Sequence, residues 1–240
     1  MNNNHNLEPL LFCPSPRDLP EFYEEFNRIH NYDKYFVRYT KPEVQAYDWG
    51  RDIFLENKKY THLVICPDDL IIRQEHIDKL YNDLIYLHNI GEIDTTCIGG
   101  FCNLNTTDKQ QMSNICINRV NIDPYPNRRY SFVTLEYLRN VSLVFGRFIK
   151  VGFSGFPLLA IPRSIVEKIE FRNDSRDGWE DYGCCLDVMF CHDVYELGPE
   201  YKILCDLQME MYHMKIDDIR VKNFHAGILA QERYFEHKNG

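Results

Sequence analysis

The chain has 240 residues, 44% hydrophobic and 26% charged, with a formal charge of −9. That size and balance suit one large water-exposed domain with a sizeable core. The acidic surplus excludes a nucleic-acid backbone as the main ligand, since phosphate chains bind basic surfaces, but it leaves room for a small phosphorylated ligand held by a few arginines and a metal.

Pro9 to Cys13 is a predicted strand, and Asp18 then opens a helix through Phe22, Phe26 and Ile29. Lys34 to Thr40 is a second strand. Glu43 to Asn57 reads as a helix with Val44, Tyr47, Phe54 and Leu55 on one side. Leu63 to Cys66 is a buried strand, bounded by Pro67 and too short for a helix. From Gln74 to Asn89, Ile77, Leu80, Tyr81, Leu84, Ile85 and His88 fall at helical spacing, with Gly91 as the stop. Thr95 to Phe101 is a fourth strand. Strands alternating with helices predict βαβ units and an α/β fold with a mixed, mainly parallel sheet flanked by helices.

Residues 103–140 break this rhythm, being polar and Asn-rich with Pro124, Pro126 and the basic pair Arg128–Arg129. They predict an irregular or antiparallel excursion within the same domain. Order returns from Gly146 to Pro162, where Phe153-Ser154-Gly155-Phe156-Pro157 interrupts an apolar run. A short helix, Arg163 to Ile169, and a polar loop, Arg172 to Gly178, lead to Trp179-Glu180-Asp181. The helix that follows buries Leu186, Met189, Phe190, Val194 and Leu197 and stops at Gly198. A last strand runs from Tyr201 toward Met214, and the residues beyond Lys215 read as a covering segment.

Nine cysteines, an odd number, fall mostly within apolar runs and read as buried free thiols of a reducing compartment. A zinc site from Cys184, Cys185, Cys191 and His192 lacks Cys-x-x-Cys spacing. The start, Met-Asn-Asn-Asn-His-Asn, has neither the charged nor the apolar region of a signal peptide. No stretch approaches the ~20 apolar residues of a bilayer span. The expectation is a cytoplasmic protein without a transmembrane segment.

Three features carry chemistry. Asp68 and Asp69 end an apolar strand, and open α/β sheets bind ligands beyond the carboxyl ends of their strands. Oxygen donors there favour magnesium, calcium or manganese over zinc; the alternative is a pair of turn and capping acids. Glu180 and Asp181 open a helix, where acids also interact well with the helix dipole. His213 ends a row (Ile203, Cys205, Leu207, Met209, Met211) that shares one face if the strand is regular. It reads as a ligand or as a hydrogen-bonded structural residue. Arg51 and Arg38 are each either ligand contacts or ion-pair partners, Asp48 being one candidate for Arg51. Gly155 permits close approach of a substrate to backbone, and Trp179 either stacks on a sugar face or fills the core.

The order strand–Pro67-Asp68-Asp69, then Gly-Phe-Ser-Gly-Phe-Pro-Leu-Leu-Ala-Ile-Pro-Arg ending at Arg163, then Trp-Glu-Asp-Tyr-Gly, helix, Leu-Gly, strand and His213 resembles the GT-A-fold glycosyltransferases over roughly residues 8–215. The resemblance implies a single GT-A (Rossmann-like) domain. Its nucleotide-sugar half would span about residues 8–102, its acceptor and catalytic half about 103–215, and a C-terminal covering segment 216–240. It implies a nucleotide-sugar donor, a carbohydrate, lipid-linked or protein acceptor, and Mn2+ or Mg2+ held by Asp69 with His213 and Asp68. The donor would also meet Ser15, Pro16, Arg38, Arg51, Asp68 and Asp69, and the acceptor Gly155 and Trp179. Asp181 would be the catalytic base, with Glu180 beside it, and transfer would invert the anomeric carbon. Two departures stand out: Pro67 occupies the place of the first acid of Asp-x-Asp, and Tyr182-Gly183-Cys184 follows Glu-Asp in place of a further acid. They keep open a second reading, a catalytically silent GT-A-like carbohydrate-binding or assembly module. A sugar-nucleotide pyrophosphorylase would need a Gly-rich basic loop where this chain has Phe12-Cys13-Pro14-Ser15-Pro16.

Overall fold

Residues on successive positions of a strand project to opposite faces, so a strand apolar at every position must be covered on both sides. Several strands here are buried along their whole length, among them β1 (Pro9–Ser15), β3 (His62–Ile65) and β5 (Thr96–Cys102). The computed structural model describes residues 7–15, 19–38, 43–104, 111–122, 130–173 and 186–214.

The other elements are α1 (Pro20–Arg28), β2 (Asp33–Arg38), α2 (Glu43–Glu56), β4 (Leu70–Ile71), α3 (Gln74–Asn89), β6 (Met112–Cys116), β7 (Phe132–Thr134), α4 (Leu135–Phe145), β8 (Phe148–Val151), β9 (Phe153–Ser154), β10 (Leu159–Pro162), α5 (Arg163–Val166), α6 (Leu186–Glu196) and β11 (Lys202–His213). The main sheet runs β2-β1-β3-β10-β5-β11-β4, with β8 also on β11. β1 is parallel to β2 and β3, and β5 is parallel to β11, whereas β10 is antiparallel to both of its neighbours. Thus β2, β1, β3, β5 and β11 point one way, giving the expected mixed, mainly parallel sheet between helices.

Alternation along the strands sorts the core into two layers. Leu10, Phe12, Leu63, Ile65 and Cys97 pack with Tyr47 and Phe54 of α2 and Phe190 and Val194 of α6. Leu11, Cys13, Val64, Cys66 and Ile98 pack on the other face with Phe22 and Phe26 of α1 and Leu80 and Leu84 of α3. Cys13, Cys66, Cys97, Cys102, Cys116, Cys191 and Cys205 are buried free thiols. Burial pushes six of them, all but Cys13, above the ordinary thiol range, which makes them inert. Cys184 and Cys185 lie outside the described residues. Among the described residues, no helix is long and apolar enough to cross a membrane.

Residues 103–140 depart in part from expectation. β6 and β7 are antiparallel, as read, but α4 is a regular helix whose N-cap Thr134 accepts from the Tyr137 amide at 3.0 Å. Its pattern misleads because Leu143 and Val144 are exposed, at 84% and 74%, beside the buried Leu135 and Leu138.

The row from Ile203 to His213 does not share one face, because β11 is irregular. Cys205 pairs with Gly99 and Glu210 with Phe101, so four β11 residues, Asp206 to Met209, stand opposite Gly100 alone. A Cβ on Gly100 would lie 2.3 Å from the Met209 carbonyl oxygen, which is why glycine is required there. The strand consequently swaps layers: Ile203, Cys205 and Leu207 join the first, Met209 and Met211 the second. Backbone groups freed by the bulge are satisfied locally. Leu207 N donates to Arg147 O (2.8 Å), Gln208 N to Asp206 Oδ1 (2.9 Å), and Lys79 Nζ to Gln208 O (2.8 Å). Arg147 in turn donates to Asp206 from Nε and Nη2 (3.2 and 3.0 Å), and to Asp83. Both carboxylates are completely buried. Burial and the Asp206 charge push Asp83 up.

Arg147→Met should therefore leave two buried acids without their guanidinium, with only Lys79 remaining, 4.0 Å from Asp206. Breaking such a cluster costs about 3–5 kcal/mol, which should appear as a lower urea midpoint; a midpoint equal to wild type would show that the cluster is not needed.

Candidate active site

Beyond β3 the ladder continues for one residue, Cys66 N donating to Phe12 O at 2.8 Å, and then meets Pro67, which has no amide to give. The chain turns, Leu70 N reaching Pro67 O at 3.4 Å, and β4 docks antiparallel on the end of β11, with His213 opposite Leu70. Met214 N closes the corner on Asp69 O at 2.9 Å.

The two aspartates, the central residues of this turn, part company. Asp68 turns inward, is fully buried, and accepts the Ser15 hydroxyl at 2.9 Å. With its hydrogen so used, Ser15 Oγ accepts from Tyr23 OH, also at 2.9 Å, and the Arg38 guanidinium lies over the Tyr23 ring at 5.1 Å. Asp69 turns the other way, and its Oδ2 stands 3.4 Å from His213 Nε2.

Asp69 and His213 form one wall of a cavity of about 310 Å³ that also takes in Gly155. The cavity's other acids are Glu43 from α2 and Asp187 from the first turn of α6; Tyr47, Phe132, Phe153 and Phe156 supply rings, and among the described residues its lining has no Lys or Arg. Burial pushes the Asp187 carboxyl up to about 6, against the opposing effect of the Val188 amide, which donates to its Oδ1 at 2.8 Å. Asn114 on β6 accepts the Cys102 amide on its Oδ1 at 2.9 Å, while its Nδ2 is buried without a hydrogen-bond partner among the described residues. A Cβ on Gly155 would lie 3.5 Å from both Asn114 Nδ2 and Asp187 Oδ2. Just after it, Phe156 and Leu158 hold φ of +57° and +53°, a left-handed backbone that bulky residues rarely adopt.

The structure thus brings Asp69, His213 and Gly155 together, and places Ser15 and Asp68 in a buried hydrogen bond behind them. Arg51 stays outside the cavity lining. Its Nε donates to the carbonyls of Val166 and Ile169, both at 3.0 Å, so it ties α2 to the end of α5. Pro16, Trp179, Glu180 and Asp181 lie outside the described residues. Sequence reasoning missed Asp187, Asn114, Glu43 and Tyr47. Asp187 did carry a signal: it is the lone acid in Cys-Leu-Asp-Val-Met-Phe-Cys, on a helix otherwise buried at Leu186, Val188, Met189, Phe190 and Cys191.

No protein-family model matches the chain, and no curated protein is similar to it in sequence. Among solved structures it is similar to the crystal structure of A197 from STIV, with a TM-score of 0.54 and 15% identity over 87% of this chain and 86% of that one. At that identity the likeness is one of fold.

An acid held above its ordinary value near 3.8 contributes stability below that value and loses it as pH rises through about 6. Asp187→Asn keeps an oxygen for the Val188 amide and cannot ionise. The variant's melting temperature should gain on wild type from pH 4 to about pH 6 and then level off; a pH-independent difference would show that Asp187 ionises without penalty.

Proposed function

We propose that this chain is a metal-dependent glycosyltransferase, moving a sugar from a nucleotide-sugar donor to an acceptor hydroxyl with inversion. The observation that carries the reading is the Asp69–His213 pair in an acid-lined cavity beyond the carboxyl ends of the parallel strands. A nucleoside diphosphate brings negative charge, and the described lining offers carboxylates and no basic side chain to meet it. A divalent cation resolves that conflict.

The residues present suit one. Oδ2 and Nε2 stand 3.4 Å apart, near the ~3 Å that separates two adjacent ligands at ~2.1 Å bond lengths in an octahedral site. Among the described residues no group of three His, Cys, Asp or Glu is placed to hold a metal. That leaves coordination positions for phosphate oxygens and water, the usual partners of Mg2+ in nucleotide sites. Asp69 and His213 would hold the ion, while Asp68, committed to Ser15, positions the turn that presents Asp69. When bound, the cation would orient the diphosphate and stabilise the negative charge it gains on leaving. The half-buried ring of Phe132 in the lining offers apolar surface to a sugar face. The two-residue donor set and Pro67 favour the second reading, a silent carbohydrate-binding module, and donor hydrolysis separates the two.

Asp69→Ala should abolish manganese-dependent binding of UDP and GDP in calorimetry while leaving the urea midpoint near wild type, because the side chain is not core. His213→Ala should weaken the same binding. Cation-dependent affinity that survives in Asp69→Ala would remove Asp69 from the site.

A further inference from the structure

We infer that Asn114 and Asp187, both beside Gly155, form a subsite for a hydroxyl group of a neutral pyranose, and that Asp187 accepts that hydroxyl's proton during transfer. The second half rests on the transferase reading; the first does not.

Gly155 has no left-handed backbone to explain it, and a methyl group there would sit at ordinary contact distance, 3.5 Å, from Asn114 Nδ2 and Asp187 Oδ2. Glycine at this point therefore leaves a space between a hydrogen-bond donor and an acceptor. Asn114 is 4% exposed, and its Nδ2 has no partner among the described residues, a cost that a protein core ordinarily avoids. Its Oδ1 is fixed by the Cys102 amide, which decides which end of the side chain faces the space. The Val188 amide occupies Asp187 Oδ1 and likewise leaves Oδ2 for the cavity.

Only some groups can satisfy both. A phosphate or carboxylate would accept from Asn114 but be repelled by Asp187. An ammonium would suit Asp187 but has no lone pair for the Asn114 amide. A hydroxyl accepts from one and donates to the other. Phe132, half-buried on β7, lines the same cavity and gives the apolar face of a sugar ring a surface.

In the transfer step the hydroxyl oxygen forms its bond to the anomeric carbon as the bond from that carbon to the diphosphate oxygen breaks. The electron pair leaves with the diphosphate, and the hydroxyl proton passes to Asp187 Oδ2. A carboxyl pushed up to about 6 by burial is a better proton acceptor than an ordinary aspartate and is still ionised at neutral pH. Asp187 thereby takes the role that sequence reading gave to Asp181.

The test uses the full chain and needs neither metal nor nucleotide. Saturation-transfer NMR with the methyl glycosides of glucose, galactose and mannose should detect binding to wild type. Gly155→Ala, which fits without strain, should keep the wild-type urea midpoint and abolish the signal. Asn114→Asp, which retains the oxygen for Cys102 and loses the donor, should abolish it too, while Asp69→Ala should retain it. Failure of every glycoside to bind wild type, or undiminished binding by Gly155→Ala, would overturn the subsite. In turnover, Asp187→Asn should slow transfer by ~10²–10⁴-fold and remove the acid limb of the pH–rate profile, with manganese–UDP affinity unchanged. A wild-type rate in that variant would overturn its role as proton acceptor. Should glycosides bind where no cation–nucleotide complex does, the proton-accepting role falls with the transferase reading and the subsite stands.

Discussion

The irregularity in β11 is the constraint on which the site depends. A regular strand paired to β5 would keep Ile203 through His213 on one face. The four residues set against Gly100 move the strand's later half to the other layer. Such a bulge exposes backbone groups to the interior, and unpaired groups there are costly. Here Asp206, Arg147 and Lys79 meet that cost, supplying the acceptors and donors that β5 cannot. The buried charges are thus explained by backbone geometry: Asp206 serves the bulge, Arg147 neutralises Asp206, and Asp83 fixes Arg147 to α3. The last residues of β11 can then pair with β4 and meet Asp69.

A second conflict lies inside the cavity. Three locally unfavourable features converge around Gly155: an unsatisfied Asn114 amide, a buried acid at Asp187, and left-handed backbone at Phe156 and Leu158. None helps the fold. Proteins retain such features where function demands them, and surrounding structure holds them in place. Their coincidence around one glycine of the cavity wall marks the candidate site.

Much of the architecture could be read from the chain alone. Gln74 to Asn89 was bounded correctly because its apolar residues repeat at helical spacing and Gly91, at φ +74°, ends it. The buried strands announced themselves as short apolar runs. α4 did not, because its exposed Leu143 and Val144 blur the contrast on which periodicity depends. β4 did not either, since two residues beyond a proline carry no period of their own.

The sequence by itself determined the layered sheet and the position of the aspartate pair at a strand end, both consequences of local patterning. Only the tertiary structure decided what each polar group meets. Arg51 read as either a ligand contact or an ion-pair partner, and its Nε meets the carbonyls of Val166 and Ile169, more than a hundred residues away in the chain. Asp187 looked like a helix residue among apolar neighbours and faces the cavity, because β6 and the Gly155 segment leave a space beside it. Hydrogen-bond partners and burial are properties of distant pieces of chain brought together, and no spacing within one segment encodes them.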